Sequence, residues 1–193
     1  MSIACILLVT ENRIPLVRDV TLPAVLTQGF DEVLWVGDGV PGDGYRFLAV
    51  PPLSKTTNDA LVKRDVGALA TFCDILVYLS DDHAPAGDFV ETLKRAFTHI
   101  PWKEWDALVP SRWCSWEGEL LQLNMGENGG YCGGHGGVFK RKLIVRRPWT
   151  AMPHHPNWDA LTSQIHIVEM GAKYVYCPSL RIIDLEPENR PWQ

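Results

Sequence analysis

Residues 74–85 read DILVYLSDDHAP, and the reading of this stretch decides the fold. Its first seven residues form a nearly unbroken apolar run, the pattern of a strand covered on both faces. Residues 86–99, AGDFVETLKRAFTH, follow with apolar positions at helical spacing. The adjacent carboxylates Asp81 and Asp82 therefore fall where a buried strand gives way to a turn. Neighbouring anions repel each other, so stability alone gives no reason to place them there. Two readings compete: an Asp-rich turn that starts the next helix, or hard oxygen ligands for a divalent cation. Taken alone, the pair favours the turn.

Outward from this stretch the chain alternates strands and helices. IACILLVT (3–10) reads as a buried strand, and NRIPLVRDVTLPAVLTQG (12–29) as a helix interrupted by Pro15 and Pro23 and closed by Gly29. DEVLWVGDG (31–39) and YRFLAVPP (45–52) read as strands, and TTNDALVKRDVGALATF (56–72) as a helix. Beyond residue 99, strands are expected at WDALVPS (105–111) and KYVYCPS (173–179), and a helix at NWDALTSQIHIVEMG (157–171). Such alternation predicts one α/β domain with an open, mostly parallel sheet and helices on both faces. Ligands bind such sheets beyond the carboxyl ends of the strands. Three strands end there in polar residues: Thr10-Glu11-Asn12, Asp38, and Ser80-Asp81-Asp82-His83.

Composition narrows the class. The 193 residues are 46% hydrophobic and 21% charged, which suits a globular domain able to bury a core. No apolar run is long enough to span a bilayer. The net charge of −5 disfavours a nucleic-acid partner. The five cysteines (Cys5, Cys73, Cys114, Cys132 and Cys177) are an odd number in a chain too long for a disulfide-dense scaffold, so reduced thiols and a cytoplasmic setting are expected. Zinc at Cys132-x-x-His135 with Cys114 and His154 or His155 is disfavoured, because the ligands lack paired spacing.

The segments LLVTENR, VLWVGDG, KRDVGAL and ILVYLSDDHAPAGDF occur in that order, followed by GGHGGVFKRKL, NWDALTSQIHIVEMGAKYVYCP and LEP. In order and spacing they resemble the nucleotide-sugar-dependent glycosyltransferases of the GT-A fold, closest to family 2, over roughly residues 3–187. The resemblance implies a single Rossmann-like domain over 1–193, with a nucleotide-binding part near 1–100 and an acceptor part near 101–193. It implies that Thr10, Glu11 and Asn12 border the nucleotide, that Asp38 bonds the nucleobase and that Arg64 lies against the nucleotide. Asp81 would contact the ribose, and Asp82 would bind the Mn²⁺ or Mg²⁺ that bridges the diphosphate. Asp159 would be the catalytic base. The chain departs from the family at GDGV, where DDGS is common, and in an acidic triplet cut to Ser80-Asp81-Asp82. It also lacks a clear C-terminal metal-binding His, which leaves Asp184 or His83 as candidates for that place.

Two further segments bear on the acceptor. GENGGYCGGHGGVF (126–139) offers bare backbone beside aromatic residues, and Gly133, Gly134, His135 and Trp158 are candidates to line the donor-sugar and acceptor pocket. KRKLIVRR (140–147) carries five cations in eight residues, either as a solvated helix or as an anion site. The expected activity is inverting transfer from a nucleotide-diphosphate sugar, UDP-linked by the resemblance, to an acceptor hydroxyl. A saccharide, a protein or hydroxymethylated DNA remain open as acceptors, and the lack of an apolar span points to a diffusible one. The alternatives are a sugar-phosphate nucleotidyltransferase, against which TENRIP lacks the glycine-rich basic turn, and a non-catalytic binding module of the same fold.

Overall fold

Strand β1 (Ile3–Val9) is buried at every position, as its unbroken apolar sequence requires. A computed structural model describes residues 1–51, 59–113, 120–122, 137–151 and 171–185. β1 pairs in parallel with β2 (Glu32–Gly37) on one side and β4 (Ile75–Ser80) on the other, and β3 (Arg46–Ala49) extends the sheet beyond β2. The remaining strands are β5 (His83–Pro85), β6 (Ala107–Trp113), β7 (Leu120–Gln122), β8 (Val138–Lys140) and β9 (Tyr174–Asp184). Among the described residues the sheet order is β3-β2-β1-β4-β8-β6-β9-β5, with β7 on β6. β1, β2, β3, β4, β6 and β9 run one way, while β5, β7 and β8 oppose them. The mostly parallel open sheet expected from the sequence is present.

Alternate residues of β1 face two separate cores, because successive side chains of a strand point to opposite faces. Ile3, Cys5, Leu7 and Val9 pack with Val17, Leu22 and Val25 of the first helical segment and with Phe89, Val90 and Leu93 of α4 (Phe89–His99). Ala4, Ile6 and Leu8 pack with Leu61 and Ala68 of α3 (Asp59–Ala70), Ile144 of α5 (Arg141–Arg146) and Trp149. A Cβ at Gly67 would come within 2.5 Å of Ile6, so glycine lets α3 sit directly on β1.

The two prolines act on the first helix as expected. It runs as a 3-10 turn (Glu11–Arg13), α1 (Ile14–Leu16), a π turn (Val17–Thr21) and α2 (Leu22–Leu26). The Leu22 N–H bonds to Val17 O, five residues back, and Pro23 then has no N–H to offer.

β9 continues five residues past the expected end at Ser179 and reaches Asp184. The register slips between Pro110, paired with Cys177, and Ser111, paired with Arg181, so residues 178–180 bulge. Ser111 Oγ lies 2.9 Å from the carbonyl oxygens of both Pro178 and Leu180 and pins the bulge. Pro178 is tolerated there because a bulged residue owes no ladder bond. The redirected strand pairs His83 with Asp184 in β5.

Candidate active site at the carboxyl ends of β1, β2 and β4

Strand register assembles the site. Val9 is level with Gly37 and Leu8 with Ser80, so the next residues, Thr10, Asp38 and Asp81, emerge side by side from the edge of the core. Thr10 donates its N–H to Asp81 Oδ2 at 3.0 Å, and its Oγ1 lies 2.5 Å from that same oxygen. Thr10 Oγ1 also lies 3.0 Å from Asn12 Oδ1, which ties the first turn to the carboxylate. Glu11 is exposed at the mouth of this turn.

Asp81 and Asp82 are held toward different partners. Asp82 Oδ1 lies 2.6 Å from Nδ1 of His83, a fully buried imidazole. Nε2 of the same ring faces Asp184 Oδ2 at 3.9 Å. The main chain is fixed too: Leu185 donates its N–H to Asp82 O at 2.8 Å, and Thr21 Oγ1 lies 3.4 Å from Asp81 O. Asp81 Oδ2 is thus committed to Thr10, while Asp82 Oδ1 lies against the His83 ring. Burial, and secondarily the neighbouring Asp82 charge, push the Asp81 carboxyl above its ordinary value, with the Thr10 bonds acting in the opposite direction. A site of this kind favours a nearby positive charge.

The Asp38 turn is built with little slack. Gly37 has φ +128°, and a Cβ there would lie 2.2 Å from Val9 O and 2.8 Å from Lys63 Cε. Trp35 donates Nε1–H to Asp38 O at 2.6 Å. Lys63, with its side chain only 2% exposed, sends its ammonium to Val9 O at 2.9 Å, to Asp59 Oδ2 at 2.8 Å and to Asp38 Oδ2 at 3.5 Å. This lysine joins the end of β1, the β2 turn and the start of α3. The sequence reading passed over it in favour of its neighbour; the signal was an Asp59–Lys63 pair at helical i,i+4 spacing.

Arg64 is buried inside the layer between α3 and the sheet, with its guanidinium 5.4 Å from the Trp149 ring centroid. Tyr78 donates its hydroxyl to Arg64 O at 3.3 Å. Gly133, Gly134, His135, Trp158 and Asp159 lie outside the described residues, as do Cys114, Cys132, His154 and His155.

The basic segment sits at the other end of the sheet. Lys140 pairs with Ile75, the first residue of β4, whereas Asp81 follows its last. At ~3.3 Å per residue the two ends of that strand are roughly 17 Å apart. Lys140 itself is buried, 4.4 Å and 4.6 Å from the Trp102 and Trp105 ring centroids and bonded to both their carbonyls. The solvated-helix reading of α5 holds, and the segment is remote from the carboxylates. A cleft of about 680 Å³ lined by Phe30, Glu32, Tyr45 and Arg46 also lies at the starting end of β2, away from them.

Among the described residues no three His, Cys, Asp or Glu side chains form a ready metal cage. The donor set fits a different arrangement. Mg²⁺ and Mn²⁺ are hard cations satisfied by one or two carboxylates completed by water and substrate phosphate, a set that Asp82 with Asp81 would supply. Among the described residues no helix is long and apolar enough to cross a membrane.

No family model matches the sequence, and no curated protein matches it. Solved structures do resemble the fold. The mannosyltransferase PcManGT from Pyrobaculum calidifontis, in complex with GDP-Man and Mn²⁺, superposes with a TM-score of 0.63 at 16% identity, over 97% of this chain and 57% of that one. Residues 1–349 of S. aureus TarS give 0.63 at 12% identity over 97% and 61%. A longer S. aureus TarS structure gives 0.64 at 13% over 97% and 37%. The chain thus has a GT-A-like glycosyltransferase fold. It spans less than two thirds of each of these chains.

Proposed function

We infer that the chain is a glycosyltransferase that moves a sugar, with inversion, from a nucleoside-diphosphate donor to an acceptor hydroxyl. The observation that carries this reading is the meeting of Thr10, Asp38, Asp81 and Asp82 beyond the carboxyl ends of β1, β2 and β4 in a GT-A-like fold. Fold alone does not define chemistry, so the site must bear the argument.

In this reading Thr10, Glu11, Asn12 and Asp38 border the nucleobase, Lys63 holds the Asp38 turn, and Asp81 receives the ribose hydroxyls. Arg64, buried against Trp149, is enclosed in the α3 layer and does not lie against the nucleotide. Asp82 would hold Mn²⁺ or Mg²⁺, which when bound neutralises charge on the departing diphosphate. Asp159 accepts the proton of the acceptor hydroxyl as the acceptor oxygen bonds to the anomeric carbon and the bond from that carbon to the diphosphate oxygen breaks. One in-line displacement inverts the anomeric centre. Gly133, Gly134, His135 and Trp158 frame the sugar and acceptor.

The resemblance favours UDP as the nucleotide. PcManGT, with its bound GDP-Man, makes GDP the alternative to test. Incubation with UDP- and GDP-sugars in the presence of Mn²⁺ should release free nucleotide slowly from one of the two sets. Tight nucleotide binding without any release, with or without added acceptors, would point to a binding module.

A further inference from the structure

We infer that the end of α3 and the outer face of α5 dock on the surface of a bilayer that contains anionic lipid. Phe72 sits among the headgroups, and Arg141, Lys142 and Arg146 lie against their phosphates. An apolar signal and a basic one meet on this face. Phe72 is 89% exposed, although Thr71 and Cys73 on either side of it are 0% and 8% exposed. The turn is no loose tip, because Thr71 Oγ1 bonds to Glu32 and accepts the Cys73 N–H at 3.1 Å. Leu69, also largely exposed, stands one helical turn beyond Asp65, whose carboxylate accepts the Trp149 and Thr150 N–H groups. It therefore faces the same side as the segment that follows α5. Apolar patches rimmed by polar residues mark contact surfaces.

On α5, Leu143 and Ile144 turn into the core, so the helical repeat leaves Arg141, Lys142, Val145 and Arg146 on the outer arc. The Arg141 guanidinium lies 5.7 Å from the Phe72 ring centroid, and its Nε–H bonds to Ala68 O at 2.9 Å, which joins the two halves of the face. Residues 128–158 hold five Lys and Arg and no Asp or Glu, in a chain whose net charge is −5. Among the described residues, carboxylates on the adjoining elements turn elsewhere: Asp74 to Ser2, Asp65 to Trp149 and Thr150, Glu32 to Arg46 and Asp106 to Lys140. Apolar side chains ringed by cations suit the boundary between headgroups and acyl chains, whereas a nucleic-acid backbone would set Leu69 and Val145 against phosphate. The face lies at the starting end of β4, roughly 17 Å from the carboxylates at its other end, so docking leaves the candidate active site open to water.

The test is sedimentation of the intact chain with vesicles of phosphatidylcholine alone and of an equal mixture with phosphatidylglycerol, at low and at high salt. Duplex DNA serves as a second probe, and thermal unfolding confirms that each variant is folded. The parent should bind the mixed vesicles and not phosphatidylcholine alone, more weakly as salt rises. Each cation near such a surface is worth about fivefold in partitioning, so K142S/R146S should lose roughly 25-fold. F72S should lose about tenfold or more, with F72A in its place if F72S does not fold. V40S removes another exposed apolar side chain, beyond the opposite end of the sheet, and should bind like the parent. Absence of binding to the mixed vesicles at low salt would overturn the inference, as would unchanged binding in F72S or in K142S/R146S. Retention of duplex DNA as strong as that of the vesicles would make the face a general polyanion contact and overturn it too.

Discussion

Replacing Lys63 with Met tests whether the Asp38 turn is held in place or merely happens to lie near the site. The ammonium gives one hydrogen bond to Val9 O and pairs with Asp59 and Asp38. Val9 O keeps the Asp38 N–H at 3.2 Å, so the substitution does not orphan that carbonyl. The charged hydrogen bond is worth ~1.5–3 kcal/mol. The two carboxylates have side chains 37% and 26% exposed, so water takes over part of their interaction, and each pair adds only ~0.2–1 kcal/mol. Met fills most of the vacated volume and recovers some of the loss by apolar burial. A net cost of about 2 kcal/mol is expected, which for a domain of this size lowers Tm by roughly 4–8 °C. With the Asp38 turn loosened, nucleotide affinity should fall roughly tenfold, about the worth of one such bond. Differential scanning calorimetry and nucleotide titration read the two effects separately. A Tm within about 1 °C of the parent, together with unchanged nucleotide affinity, would refute the reasoning.

Asp81 gives a pH-dependent prediction. Its folded-state pKa is raised above the ordinary 3.8, so the folded chain holds that proton more tightly than the unfolded chain, and stability falls as pH rises through this window and stays lower at neutral pH. D81N should therefore melt higher than the parent at pH 7, with the advantage fading below the ordinary carboxylate range, while binding nucleotide less tightly. For Asp159, D159N should leave donor binding intact and slow transfer to acceptor by roughly a hundred- to ten-thousandfold; a modest fall in Tm with the rate retained would make it a helix-start residue, and Glu127 or His135 the next base to try. Substituting Lys142, Arg146 and Arg147 together with Ser should change donor affinity by no more than about twofold, because α5 lies at the far end of the sheet. A gel-shift with DNA should show no retardation even at low salt.

The sheet was legible because its signals are local. The alternation of apolar runs and helical spacing located β1 to β4, and polar residues following β1, β2 and β4 marked their tips. What escaped the sequence depends on partners distant along the chain. β9 was expected to stop at Ser179, where its apolar run gives out; it continues because Ser111, from another strand, secures the bulge. Without that continuation the approach of Asp184 to His83 could not be read, so both stood only as alternatives for a metal-binding place. Lys63 was hidden by composition, since a lysine in a helix usually marks a solvated face. Only the packing of α3 on β1, allowed by Gly67, turns it inward. The basic run 140–147 left a solvated helix and an anion site open; β8 runs antiparallel to β4 and delivers the run to the end of the sheet away from the carboxylates, which favours the first.

The most direct test of the central claim is nucleotide release from donor by the purified chain, with D82N as its control. UDP- and GDP-sugars are supplied one at a time with Mn²⁺, and free nucleotide is measured over time. The account predicts measurable release from one nucleotide class, suppressed by chelation, and a fall of at least about tenfold in D82N although that variant melts like the parent. Release that is equal in D82N and in the parent, or that is indifferent to chelation, would contradict it.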